Sequence, residues 1–370
     1  MGELYIGLMS GTSLDGVDGV AAAFDEDGGT RVLAHAGRPF DNALRRELLA
    51  LNTPGDNELH RAALAGNAIA RVYADVVDAL RSTLPGDAGP VRAIGAHGQT
   101  VRHRPGEFDG QGYTLQLLNA ALLAELTGLD VVADLRSRDV AAGGQGAPLV
   151  PAFHHARFGR PDRHVAVLNL GGIANLSLLP AEGSVRGFDC GPANVLLDHW
   201  AQRHLGQAYD AQGRWSAQGR VLPDLLAALL SEPWLDLPPP KSTGRDLFHP
   251  GWLQARLDGL AQLAPVDVQS TLCEFTAACA AQHLLRHAPA TQELIVCGGG
   301  AFNDDLLMRL RARLPGMDVL SSEQRGLPPL QVEAAAFAWL AWARVQQRAG
   351  NLPAVTGAAG ARVLGALHHA

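Results

Sequence analysis

The first 24 residues constrain the fold more than any other stretch. Leu4–Met9 is an apolar run of strand character, Ser10-Gly11-Thr12-Ser13-Leu14-Asp15-Gly16 is a turn of glycine and small polar residues, and Val17–Phe24 is a second strand-like run. Taken alone, such a turn reads first as an ordinary hairpin connection. Its glycines and hydroxyl residues also let successive backbone N–H groups point into one concavity, which binds phosphate oxygens without a lysine. The device recurs in the second half, where Val165–Leu170, Gly171-Gly172 and Ile173–Leu179 form a weak internal repeat of strand, glycine turn and strand. A third cluster, Gly298-Gly299-Gly300, follows the strand-like Leu294–Cys297 and precedes the helical run Asp304–Leu314. Two phosphate hairpins and a glycine loop opening a helix, whose N-terminus favours negative charge, form a set that can hold a nucleotide.

The rest of the chain alternates helices with short strands. Asp41 reads as the N-cap of a short helix, and Leu59, Ala62, Ala65, Ile69, Tyr73, Val76 and Leu80 recur at helical spacing up to the stop at Leu84-Pro85. Val91–Ala96 is a strand running into the polar loop His97-Gly98-Gln99-Thr100, and Leu129–Leu135 is a strand running into Arg136-Ser137-Arg138-Asp139. Loops at strand ends are the usual place for site residues in α/β proteins. At 370 residues the chain exceeds the size of one hydrophobic core, so two domains are expected. Ala141–Ala147, with three glycines, is the boundary candidate. The expected division is residues 1–140 with a C-terminal helix of about 335–370 in one domain, and 141–334 in the other.

Charge and composition exclude several functions. A net charge of −7 gives no long-range attraction for nucleic acid or an anionic membrane, so neither is an expected partner. Lys241 is the one lysine among 30 Lys and Arg residues, and it follows three prolines. A Walker A lysine and a protein-kinase strand lysine are both missing, leaving phosphate to backbone amides, arginine and metal. The four cysteines lack C-x-x-C spacing, and among fourteen histidines only His283 and His287 have the i, i+4 spacing of a zinc pair, with Leu284 where a metalloprotease has glutamate. With no signal-like N-terminus and no long apolar stretch, a cytoplasmic protein is expected.

Several segments together resemble the anhydro-N-acetylmuramic acid kinase family of the actin-like ATPase and sugar-kinase superfamily. They are Met9–Asp18, Ala96–Thr100, Gly143–Pro151, Leu170–Asn175, Gly187–Asn194, Lys241–Arg245 and Cys297–Gly300, spread over almost the whole chain. The resemblance implies an α/β, two-domain actin-like ATPase (ribonuclease H-like) fold with an active-site cleft between the domains, ATP with Mg2+, and a homodimer. The implied reaction is attack of water on the anomeric carbon of 1,6-anhydro-N-acetylmuramic acid while the freed 6-oxygen takes the γ-phosphoryl of ATP. A kinase for another amino sugar or sugar acid, or an ATP-switched non-enzymatic protein, is the alternative.

On that resemblance, phosphates and nucleoside fall to Gly11, Thr12, Ser13, Leu14, Asp15, Gly16, Val17, Asp18, Gly171, Gly172, Gly298, Gly299 and Gly300. Asp189 matches the family's catalytic aspartate. The superfamily's usual aspartates before the two glycine turns are replaced by Met9 and Asn169, which leaves Asp189 little competition as base. Asp15 and Asp18 remain as outer-shell candidates for a metal whose direct ligands the sequence does not identify. His97 and Gln99 are expected at the sugar, with a buried structural role for His97 equally open. One of Arg136 and Arg138 is expected to meet the lactyl carboxylate, the other to pair with Asp134 or Asp139. Glu333, a carboxylate in the apolar segment Val332–Trp339, corresponds to a substrate-facing residue of the family. Cys190 and Ala193 stand where threonine and glycine are common, which questions the backbone of that loop.

Overall fold

Two apposed glycines explain how the first half of the chain closes its core. Gly7 on the strand Glu3–Met9 lies beside Gly95 on the parallel strand Val91–Ala96. A methyl group at Gly7 would run into the Ala334 carbonyl, and one at Gly95 into the Phe337 carbonyl. The helix Val332–Val345 therefore lies directly on the sheet, backbone against backbone, with Ala334, Ala335, Phe337 and Ala338 buried. This contact also fixes where Glu333, in the first turn of that helix, can reach.

The computed structural model describes residues 2–11, 14–26, 28–244, 247–260 and 263–370, so Thr12, Ser13 and Arg245 lie outside the described residues. The chain divides into two compact units, residues 1–157 with 331–370 and residues 158–330. The first unit holds a six-stranded sheet in the order Thr30–Pro39, Gly16–Phe24, Glu3–Met9, Val91–Ala96, Val131–Ala133 and Ala366–His368. Its first three strands are an antiparallel meander and the next two run parallel to the central one. The second unit repeats this: Arg186–Pro192, Ile173–Leu179 and Val165–Leu170 form the meander, and Glu293–Cys297 and Asp318–Ser321 add in parallel. The weak repeat of the sequence thus extends to five strands with identical order and direction, the duplicated α/β arrangement expected of an actin-like ATPase. The strand Val165–Leu170, central in its sheet between an antiparallel and a parallel neighbour, is buried on both faces.

The glycine-rich stretch expected as the boundary is instead anchored inside the first unit. The buried carboxylate of Asp139 accepts from the Gly146 amide (2.7 Å), Asn351 Nδ2 (2.6 Å) and Thr356 Oγ1 (2.7 Å), and the Gln145 amide donates to the Thr356 carbonyl. These donors satisfy the acceptor sites of the buried carboxylate, which fastens the loop to the C-terminal segment. The division between units falls at Phe158, the last residue of the helix Val150–Phe158, and the returning C-terminal part begins at Gln331 rather than near 335. Glycine content marks backbone freedom, and a tertiary hydrogen-bond network has used it here to make a tight anchored loop.

Candidate active site

In the first unit the opening hairpin is tied to the loop after Val91–Ala96. The His97 amide donates to the Leu8 carbonyl (3.0 Å), and Ser10 Oγ donates to the Gly98 carbonyl (2.9 Å). Since that uses the only proton on Ser10, the Tyr73 hydroxyl donates to Ser10 Oγ at 2.9 Å, from a fully buried position. Gln99 Nε2 donates to the Gly11 carbonyl (3.1 Å), while its Oε1 is buried and finds no partner among the described residues. Leu14 adopts φ +60° and its amide closes the turn on the Gly11 carbonyl at 3.2 Å. Beyond it, Gly16, Val17 and Asp18 already belong to the second strand, with Val17 buried in the core. Asp15 and Asp18 are largely exposed, Asp15 at 3.3 Å from Arg45 and Asp18 at 3.6 Å from His35.

A buried cluster built around one arginine stands behind this loop. Arg136 donates from Nε (3.1 Å) and Nη2 (2.9 Å) to His97 Nε2, and from Nη1 to the Gly146 carbonyl (2.8 Å). Arginine has no acceptor, so His97 Nε2 is unprotonated and Nδ1 carries the proton, donated to the Ser10 carbonyl at 3.2 Å. Burial, reinforced by the Arg136 charge, pushes the His97 pKa down to about 3. Burial also lowers Arg136 to about 10, opposed by the nearby charges of Glu333 and Asp139. His97, Arg136 and Glu333 are therefore gathered at one place, from two loops and a helix far apart in sequence. A cavity of about 640 Å³ opens beside His97 and is lined also by Asn67, Gln116, Asn119 and Asp134. Sequence reading missed the three amides, because nothing in the local pattern singled out Asn67, Gln116 or Asn119 as site residues.

Arg138 does not join this cluster. It is exposed and lines a separate groove with Ser137, Arg344 and Gln347. The pairing expected for the second arginine is absent as well, because Asp139 is held by Gly146, Asn351 and Thr356, and Asp134 accepts from the Ser137 amide at 3.3 Å.

In the second unit, Asn194 joins the other two glycine elements. Its amide donates to the Gly171 carbonyl (3.0 Å) and its Nδ2 to the Leu170 carbonyl (2.9 Å). Gly298, at φ +78°, and Gly300 lie so close to Asn169 and Leu170 that a side chain at either would collide with them. A cavity of about 360 Å³ is lined by Gly299, Asn194, Asp198, Tyr209, Phe302 and Leu330 among others, with Tyr209 61% and Phe302 48% exposed. Two exposed aromatic rings beside a glycine loop suit a flat heterocycle. Neither ring was legible as a site residue, because each stands alone in polar sequence.

Asp189 lies on the strand Arg186–Pro192 at an irregularity, where its pairing with Asn175 gives way to Gly191 opposite Ala174. Its amide donates to the Lys241 carbonyl (3.1 Å) and its Oδ2 accepts from the Thr243 amide (2.9 Å). Burial pushes its pKa up to about 6, against the Thr243 hydrogen bond and the Lys241 charge. Of the two unusual neighbours, Cys190 is buried and donates to the Ala174 carbonyl, and Ala193 is buried with φ −118° and ψ −105°. His283 and His287, the one pair with zinc-like spacing, stack their rings on each other at 6.2 Å and against Phe188. No group of three or more His, Cys, Asp or Glu among the described residues could hold a metal ion.

The profile of the family described as anhydro-N-acetylmuramic acid kinase matches residues 3–370. The chain belongs to the anhydro-N-acetylmuramic acid kinase family. Curated proteins of that name share 64% identity with it in Variovorax paradoxus and 59% in Albidiferax ferrireducens, each match covering both chains in full. The counterpart in Cupriavidus metallidurans is 57% identical over 99% of this chain and 97% of its own. As an anhydro-N-acetylmuramic acid kinase family member the chain is a phosphotransferase with an alcohol group as acceptor. No helix among the described residues is long and apolar enough to cross a membrane.

Proposed function

We propose that this chain converts 1,6-anhydro-N-acetylmuramic acid, ATP and water to N-acetylmuramic acid 6-phosphate and ADP, with Asp189 as the general base. The carrying observation is the carboxylate itself, buried, gripped by the Thr243 amide, and raised by burial to about 6. A base in that range is ionised at neutral pH and still takes a proton from water in the transition state more readily than an ordinary aspartate. The water oxygen bonds to C1 and its proton passes to Asp189. The C1–O6 bond breaks, and O6 bonds to the γ-phosphorus as the bond to the β-phosphate oxygen breaks.

The remaining roles follow from the charges and shapes described above. Arg136, fixed by His97 and Gly146, is the cation for the lactyl carboxylate, and the amide-lined cavity beside His97 suits the acetamido and hydroxyl groups. Gly11, Gly171 and Gly172 present backbone to phosphate, and Gly299 with Tyr209 and Phe302 receives the adenine. Mg2+ is read as held by phosphate oxygens and water, as it commonly is; Asp15 lies against Arg45 and Asp18 against His35, and no step depends on a protein ligand to it. A cytoplasmic homodimer belongs to the same reading on family grounds.

Turnover in oxygen-18 water tests the reaction: label at C1 of the product supports hydrolytic ring opening, and unlabelled product overturns it. Asp189→Asn tests the base, since it should bind ATP yet lose most turnover. A near-normal rate removes Asp189 from that role.

A further inference from the structure

The one lysine of the chain sits against Asp189 without touching its carboxylate. The Lys241 ammonium has three protons and three acceptors around it: the Trp234 carbonyl (3.3 Å), the Leu235 carbonyl (2.8 Å) and His283 Nε2 (2.8 Å). His283 Nδ1 lies 2.8 Å from the Cys279 carbonyl, so the ring proton is there and Nε2 is free to accept from the lysine. The Leu235 carbonyl, 2.9 Å from the same Nε2, takes its hydrogen from Lys241. The face of the Trp234 ring covers the ammonium at 4.2 Å. Every donor is thereby used inside the protein, which is unusual for a residue that normally leaves its ammonium in water.

This side chain fastens a short segment that holds Asp189 from two directions. The carbonyl of Lys241 takes the Asp189 amide, and two residues on, the Thr243 amide meets the Asp189 carboxylate. The stem anchors that segment to the short helix Pro233–Asp236 and to the long helix Pro265–His287.

We propose that Lys241 is a positioning residue that, through His283 and the Pro233–Asp236 turn, clamps the 241–243 segment and so fixes the rotamer of Asp189. The proposal rests on the reading of Asp189 as base. The positive charge also favours the ionised carboxylate. Other charged or titratable groups facing the lysine are Cys190 on the strand of Asp189, Cys279, His283, Arg286 and His287 on the long helix, and Asp236 on the turn. None of them replaces its three hydrogen bonds.

The test is Lys241→Met, which keeps the stem and removes the donors and the charge. Expected are a 10- to 100-fold fall in kcat, KM values for ATP and sugar within about threefold of wild type, and an acid limb of kcat/KM displaced to higher pH. In an Asp189→Asn background the same substitution should lower the residual rate no further. Unchanged kcat and pH profile in Lys241→Met, with Asp189→Asn inactive, overturns the positioning role and leaves the base intact. A fully active Asp189→Asn overturns the base itself, and the clamp with it. If Lys241→Met does not fold, the wild-type enzyme still decides: with one lysine, 15N-labelled protein should give a single side-chain ammonium resonance, protected from exchange at neutral pH. A rapidly exchanging ammonium rejects the clamp.

Discussion

Arg136 donates two hydrogen bonds to a single nitrogen, Nε2 of His97, at 3.1 and 2.9 Å. The pairing settles the histidine tautomer and makes His97 an acceptor that aims the guanidinium, with no proton to exchange near neutral pH. His97→Leu should keep the packing against Phe337, whose ring lies 4.7 Å away, and free the arginine to turn. The expected result is a KM for the sugar raised about 10-fold or more, from the loss of about 1.5–3 kcal/mol of charge-assisted hydrogen bonding, with the KM for ATP little changed. Steady-state kinetics with each substrate varied checks it.

The same histidine should appear in the pH dependence of folding. Its folded pKa, about 3, is below the unfolded value of about 6.5, so unfolding takes up a proton in that window. Its contribution is present above pH about 6.5 and is lost as pH falls toward 3. Denaturant titrations of wild type and His97→Leu should diverge at neutral pH and converge in acid.

Asp189 has the opposite sign. Its folded pKa of about 6 exceeds that of an unfolded aspartate, so its favourable contribution is full below pH about 4 and is lost as pH rises through 6. Asp189→Asn should therefore be more stable than wild type at pH 7–8, by about 1–3 kcal/mol, and equal to it near pH 4. An inactive but stabilised variant is what a strained functional carboxylate predicts. In wild type, kcat/KM should fall tenfold per pH unit below about pH 6, which a pH–rate profile measures directly.

Phe302→Ala and Tyr209→Ala test the nucleotide pocket. Each removes an exposed ring beside Gly299 and should raise the KM for ATP about 3- to 10-fold, in line with about 0.5–1.5 kcal/mol per aromatic contact. kcat and the KM for the sugar should stay within about twofold, because neither ring lies among the groups that handle the sugar or the proton.

Gly95→Ala probes the seat of the helix that carries Glu333. The added methyl meets the Phe337 carbonyl, and a backbone cannot rotate away as a side chain can. A loss of about 2 kcal/mol or more is expected in chemical denaturation. In the fraction that folds, sugar kinetics should suffer more than ATP kinetics, since the displaced helix moves Glu333 relative to Arg136.

Much of this was written in local sequence. The two glycine hairpins, the Gly298–Gly300 loop and the long amphipathic helix through Tyr73 follow from residue types and spacing, and Asp189 from the match of its segment to the family pattern. The chemistry of the turn at Gly11 needs only backbone amides, and a chain with one lysine has few other ways to meet phosphate. The helix caps at Asp41 and Asn119 are where the side chains put them, accepting from the Leu44 and Leu122 amides.

Other features had no local signature, because their partners are distant in sequence. Nothing near Arg136 or Arg138 distinguished them; their difference is that one reaches His97, 39 residues earlier, and the other faces a groove. The glycines at 143, 144 and 146 promised freedom, which Asp139, Asn351 and Thr356 removed. Lys241 was legible as the wrong lysine for a Walker loop and as the start of a family segment, until His283 and two carbonyls supplied its acceptors. The sequence by itself determined the backbone devices, since those depend on intrinsic conformational preference. Tertiary structure alone decided which charges are buried together, and desolvation and long-range hydrogen bonding turn those groups into a neutral acceptor, an aimed cation and a raised base.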